Sequence, residues 1–159
     1  MRRGGDPKIG PHEMPFHLNS AMVVEDDESL REMVTFMLYR MNFRYVIPAE
    51  NGEVAWSHLK RFRVDLILSD WNMEPTNGLE LLQRIHDHPV ISCPRFILMS
   101  ANISEDYWRK ALEAGATDFL TKPFSWPQLQ EIVNLAFSDP PRARTNVVPF
   151  PVRARYSNG

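Results

Sequence analysis

Five short apolar runs punctuate the middle of the chain: AMVV (21–24), YVIPA (45–49), VDLILS (64–69), RFILMS (95–100) and DFLT (118–121). Continuous apolar runs of this length suit strands buried on both faces of a parallel sheet. A stretch with helical spacing follows each one. Over 28–41, Leu30, Met33, Val34, Met37, Leu38 and Met41 recur three or four residues apart, and 52–62, 78–87, 104–114 and 125–137 behave similarly. Ser29 with Glu32, Ser104 and Ser125 are start signals for the first, fourth and fifth of these helices. Gly115 is a stop signal for the fourth, and Pro127 sits in the first turn of the fifth, where a missing N–H does little harm. Five strand–helix repeats predict an α/β doubly wound parallel sheet. Alternation alone does not give the strand order, but it says where chemistry should lie: at the carboxyl ends of the strands, near the switch in strand order.

The ends of the chain break this pattern. Seven of the 13 prolines fall there, at positions 7, 11, 15, 140, 141, 149 and 151, and neither end shows periodicity. Residues 1–18 and 139–159 therefore read as flexible extensions around one domain over 19–138. Charge follows the same division. Residues 1–19 carry +1 and residues 139–159 carry +3, so within a total of −2 the segment 20–138 carries −6. An acidic domain argues against nucleic-acid binding and is compatible with a cation site. No run approaches the roughly 18 apolar residues of a membrane span, and no apolar region follows Arg2 and Arg3 to make a secretory signal. The single cysteine, Cys93, excludes an internal disulfide and suits the cytoplasm; it reads as a small apolar residue near a strand start.

The carboxyl ends of the runs hold a short list of reactive groups. The first ends in Glu25, Asp26 and Asp27, the third in Asp70, the fourth in Ser100 and Ala101, and the fifth in Lys122 followed by Pro123. Carboxylates gathered in one cleft need a cation, and oxygen ligands without His or Cys select a hard ion such as Mg²⁺. Mg²⁺ favours a phosphate partner, Lys122 offers a compact positive charge, and Ser100 a hydrogen bond. A central carboxylate can itself be the nucleophile and form an aspartyl phosphate.

VVEDDESLRE (23–32), DLILSDWNMEPTNGLELL (65–82), ILMSA (97–101) and DFLTKPF (118–124) together resemble the receiver domains of two-component response regulators, most nearly the single-domain chemotaxis type, over about residues 19–138. The resemblance implies a flavodoxin-like (βα)5 sheet of order 2-1-3-4-5. It implies that Asp70 is the phosphoacceptor, Asp26 a direct Mg²⁺ ligand, Glu25 its partner through a metal-bound water, and Asn72 a ligand through its backbone carbonyl. Ser100 corresponds to the switch hydroxyl and Lys122 to the phosphate-pairing lysine, with a cis Lys122–Pro123 bond. Asp26–Asp27 is the alternative acidic pair, but Asp27 is better placed as a helix-start residue.

The implied partners are a histidine kinase or histidine phosphotransfer protein upstream and a protein bound by the face of the fourth helix, fifth strand and fifth helix downstream. Tyr107, Trp108 and Trp126 lie on those helices and divide between core and partner surface. With no second domain expected after residue 138, output comes by binding or by relay, and the chain is not a turnover enzyme. The alternative is a Mg²⁺-dependent aspartyl-phosphate hydrolase of the haloacid dehalogenase type. That class needs a second Asp two residues after the first, where this chain has Asn72. A flavodoxin-like electron carrier lacks its phosphate loop here.

Two departures from the receiver pattern stand out. Phe119 occupies the position of a switchable tyrosine and, without a hydroxyl, should stay inward. In the loop after Asp70, Glu74 intrudes and Pro75 is displaced by one. Asn72 and Asn102, each two residues past a site residue, are expected to set the phosphoryl lifetime.

Overall fold

The structure is a computed structural model that describes residues 20–102 and 104–138; the extensions expected at 1–18 and 139–159 lie outside them. Five strands and five helices alternate: β1 (Ser20–Val24), α1 (Glu28–Arg40), β2 (Tyr45–Ala49), α2 (Gly52–Leu59), β3 (Leu66–Asp70), α3 (Gly78–Asp87), β4 (Arg95–Ser100), α4 (Glu105–Glu113), β5 (Asp118–Thr121) and α5 (Trp126–Ser138). All neighbouring strands pair in parallel, in the order β2-β1-β3-β4-β5. This is the doubly wound sheet the alternation predicts, with the order the resemblance implies.

The continuous apolar runs follow from burial on both faces. The pleat sends successive side chains to opposite sides. Met22, Val24, Ile67, Phe96, Leu98 and Phe119 join one core with α2, α3 and α4 residues such as Ala55, Leu81 and Ala111. Ala21, Val23, Leu66, Leu68, Ile97, Met99 and Leu120 join the other with Val34 and Leu38 of α1 and Leu129, Ile132 and Val133 of α5. Pro48, which lacks a ladder N–H, is tolerated because β2 is an edge strand. β1 pairs with both β2 and β3, so the connections leave it in opposite directions and open a crevice at the carboxyl ends of β1 and β3.

Local signals were partly corrected. α1 is capped by Asp27, whose carboxylate accepts the Leu30 N–H at 2.7 Å, not by Ser29 with Glu32. Asp27 has the extended backbone that a cap requires, and Ser29 already lies inside the helix. Ser104 caps α4, Ser125 and Gln128 exchange hydrogen bonds at the start of α5, and Gly115 turns the chain after α4 at φ 97°. α2 ends at Leu59 and passes into turns over 60–62, because Phe62 is exposed and has no core to reach. Cys93 lies two residues before β4, near a strand start as expected, and is exposed. Trp126 is half-buried on the α1–α5 core, with the Arg40 guanidinium 5.2 Å from its ring centre.

Candidate functional site

Three strand ends bring the predicted groups together. Glu25 follows β1, held by its N–H on the Ala49 carbonyl (3.0 Å) and by Arg31 Nη1 on its own carbonyl (2.7 Å). Asp70 is the last residue of β3, and the next N–H, from Trp71, donates to the Met99 carbonyl of β4 (2.8 Å). Lys122 follows β5, with its N–H on the Ser100 carbonyl (2.9 Å) and a cis bond to Pro123. Carboxylate oxygens of Glu25, Asp26 and Asp70 lie within 4.8 Å of one another, and Lys122 Nζ reaches Glu25 Oε2 at 2.7 Å and Asp70 Oδ1 at 3.2 Å. Glu25 and Asp70 are buried and Asp26 is exposed at the mouth.

Burial decides the electrostatics. Desolvation raises the Glu25 pKa above 4.5 against the opposing pull of Lys122 and of the Asp27 N–H. Desolvation likewise raises Asp70 above 3.8, against Lys122 and the Asn72 N–H that its carboxylate accepts. For Lys122, burial acts to lower the pKa, but the hydrogen bond to Glu25 and the charge of Asp70 outweigh it and hold the pKa above 10.5. One ammonium thus serves a group of three acids. An all-oxygen donor set that is short of positive charge suits a hard divalent cation, and Mg²⁺ fits it. Glu25, Asp26 and Asp70 are close enough together to hold such an ion.

A pH dependence follows. Raised carboxyl pKa values mean that the folded, metal-free domain keeps protons the unfolded chain has released. The stability they contribute is present below the ordinary carboxylate values of 4.5 and 3.8 and is lost as pH rises through the raised folded values. Urea midpoints of metal-free wild type, measured relative to Asp70→Asn, are expected to fall as pH rises from the carboxylate range toward neutrality. Saturating Mg²⁺ should remove the fall, and a flat difference without metal would contradict the assignment.

Ser100 is fully buried at the end of β4, and its hydroxyl is tied to Asn102, accepting the N–H (3.1 Å) and donating to the carbonyl (3.2 Å). Asn72 and Asn102 are both exposed. Phe119 is inward, as its missing hydroxyl suggested, with its ring 6.0 Å from Trp71 and 6.3 Å from Trp108. In the loop after Asp70, Glu74 is exposed and precedes a second cis proline, Pro75.

Sequence reasoning missed two features. Trp71 is buried beside Asp70, and its ring meets that of Tyr107 of α4 at 4.6 Å with a tilt of 43°; an aromatic directly after the strand-end acid was the available signal. Thr76 is buried too and bonded to Glu53 of α2, a pairing across sequence that no local pattern announces.

A lysine-paired acid thus stands among carboxylates at the switch point of a 2-1-3-4-5 parallel sheet. The response regulator receiver domain profile matches residues 21–134, and the chain belongs to that family. It is 35% identical over 113 residues to the two-component response regulator-like PRR37 of Oryza sativa subsp. japonica, which covers 70% of this chain and 15% of that protein. It is 33% identical over 116 residues to the 3',5'-cyclic-nucleotide phosphodiesterase regA of Dictyostelium discoideum, covering 71% of this chain and 14% of that one. Among solved structures, the chemotaxis protein CheY4 of Vibrio cholerae superposes with a TM-score of 0.68 at 25% identity, over 73% of this chain and 96% of that one. The domain is thus a two-component receiver, and the curated relatives carry much else besides. Among the described residues no helix is long and apolar enough to cross a membrane.

Proposed function

We propose that Asp70 accepts a phosphoryl group from the phosphohistidine of a kinase or phosphotransfer protein, and that the domain then signals by binding a protein through α4, β5 and α5. The observation that carries this reading is Asp70 Oδ1 placed 3.2 Å from Lys122 Nζ within a group of three carboxylates. In the transfer, an Asp70 oxygen forms the bond to phosphorus and the donor's P–N bond breaks. The departing imidazole nitrogen keeps the electron pair and takes up a proton.

Lys122 opposes the rise that burial imposes on the Asp70 pKa and balances charge on the incoming phosphoryl oxygens. Bound Mg²⁺ would neutralise the remaining negative charge. Ser100, at the adjacent strand end, exchanges its bonds with Asn102 for one to the phosphoryl group. Trp71 against Tyr107, and Trp108 against Phe119, support passage of that change to α4 and β5. Asn72 and Asn102, exposed at the mouth, govern access of water and so the lifetime of the modified state. The domain holds one phosphoryl group and loses it slowly; it does not turn over a substrate. It works in the cytoplasm, without nucleic acid or membrane insertion.

The test is intact mass after incubation with Mg²⁺ and acetyl phosphate. Wild type is expected to gain one phosphoryl group and Asp70→Asn none. Equal gain by both would remove Asp70 from the mechanism.

A further inference from the structure

We propose that Glu53, Thr76 and Arg84 form a clamp that fixes the loop after Asp70 and thereby sets the affinity of the carboxylate group for a divalent cation. The three are positioning residues, and the inference rests on reading Glu25, Asp26 and Asp70 as cation ligands.

The loop over 71–77 carries Asn72 close to Asp70 and must hold one shape for those groups to act together. Its two ends are fixed: the Trp71 N–H donates to the Met99 carbonyl, and Asn77 caps α3 with a reciprocal bond from Glu80. Between them Met73 is buried in the core, whereas Glu74 and Pro75 are exposed and hold nothing in place by burial. Thr76 is the polar anchor of this stretch. It is 5% exposed, and its Oγ1 donates to Glu53 Oε1 at 2.5 Å. The same carboxylate oxygen receives Arg84 Nη1 of α3 at 2.8 Å, and the Arg84 guanidinium lies 5.6 Å from the Trp56 ring centre. One oxygen of α2 therefore ties together the loop and α3.

Backbone contact reinforces the tie. A Cβ on Gly52 would lie 2.6 Å from the Thr76 carbonyl oxygen and 2.7 Å from its Cβ, so the start of α2 touches the loop directly. Gly52 follows closely on Ala49, whose carbonyl takes the Glu25 N–H at 3.0 Å. The clamp thus joins the two walls of the site, Glu25 through β2 and Asp70 through the loop. Exposed ion pairs contribute little stability by themselves, so the Glu53–Arg84 pair matters here by fixing geometry around a buried hydroxyl. Outer partners of metal ligands commonly change metal affinity by about 10- to 100-fold when removed.

Calorimetric Mg²⁺ titration without any phosphodonor tests the inference. Thr76→Val and Glu53→Ala are each expected to weaken Mg²⁺ binding by about 10-fold. Thr76→Ser, which keeps the hydroxyl, should stay within about twofold of wild type. The double variant Thr76→Val/Glu53→Ala should bind no more weakly than either single variant, since both remove the same tie. Should Thr76→Val not fold, the half-exposed Glu53→Ala carries the test. Wild-type affinity in both single variants, a Thr76→Ser variant as weak as Thr76→Val, or fully additive losses would overturn the clamp while leaving the cation site standing. Absence of Mg²⁺ binding by wild type, or equal binding by Asp70→Asn, would overturn the cation site and the clamp with it.

Discussion

Lys122→Ala is expected to destabilise the metal-free domain by about 1–3 kcal/mol near neutral pH and to slow phosphoryl acceptance about 100-fold. Both effects come from one ammonium. Lys122 Nζ lies 2.7 Å from Glu25 and 3.2 Å from Asp70, and Glu25 is 1% exposed. Without the lysine, Glu25 has lost its charged partner and keeps chiefly the Asp27 N–H at 3.1 Å. Burial already raises the Glu25 pKa, and removing Lys122 takes away the strongest opposing influence. The folded value then stands further above the unfolded one, so the penalty is largest at high pH and shrinks as Glu25 protonates. Urea unfolding of wild type and variant near neutral and at mildly acidic pH measures this directly. A penalty independent of pH would mean that Lys122 stabilises the fold by packing and not by charge.

Gly78→Ala is expected to destabilise by a similar amount, about 1–3 kcal/mol, and to damage the site as well as the fold. A Cβ at Gly78 would lie 2.3 Å from the Asp70 carbonyl oxygen, 2.8 Å from Leu98 Cδ2 and 3.0 Å from Ser69 Oγ. The first of these is backbone and cannot rotate away. Either α3 moves outward or the end of β3 moves, and Asp70 is that end. A displacement of about 1 Å at a reacting group lowers rates by up to about 100-fold. Gly115→Ala is the control. Its cost comes from φ 97°, about 1 kcal/mol, and its nearest neighbour is the His86 ring nitrogen at 3.8 Å. It should lower the urea midpoint while leaving phosphoryl acceptance unchanged. Equal acceptance by Gly78→Ala and wild type would show that α3 does not set the position of Asp70.

The parts of the fold legible in sequence were those governed by burial. Runs such as FILM and AMVV are apolar at every position because both faces of the sheet are covered, and that leaves a mark in any order of strands. The strand order itself is a matter of which chain segments meet, and it came from the resemblance of four motifs, not from any local pattern. The acidic pair, Asp70, Ser100 and Lys122 were legible because a parallel sheet puts reactive groups at its carboxyl ends. Asp27, readable as a helix-start residue from its place just after the first run, takes the cap, while Ser29 lies one residue inside the helix start. Thr76 with Glu53, and Trp71 with Tyr107, are contacts between distant segments, visible only once the helices are placed.

The most direct measurement of the central claim is chemical identification of the modified residue. After reaction with Mg²⁺ and acetyl phosphate, borohydride reduction of an aspartyl phosphate leaves homoserine in place of the aspartate, and peptide mass spectrometry locates it. The account predicts homoserine at position 70 in wild type, with a phosphoryl group that survives acid and is lost in base, and no labelling of Asp70→Asn. Homoserine at Asp26 or Asp27, or undiminished labelling of Asp70→Asn, would contradict it.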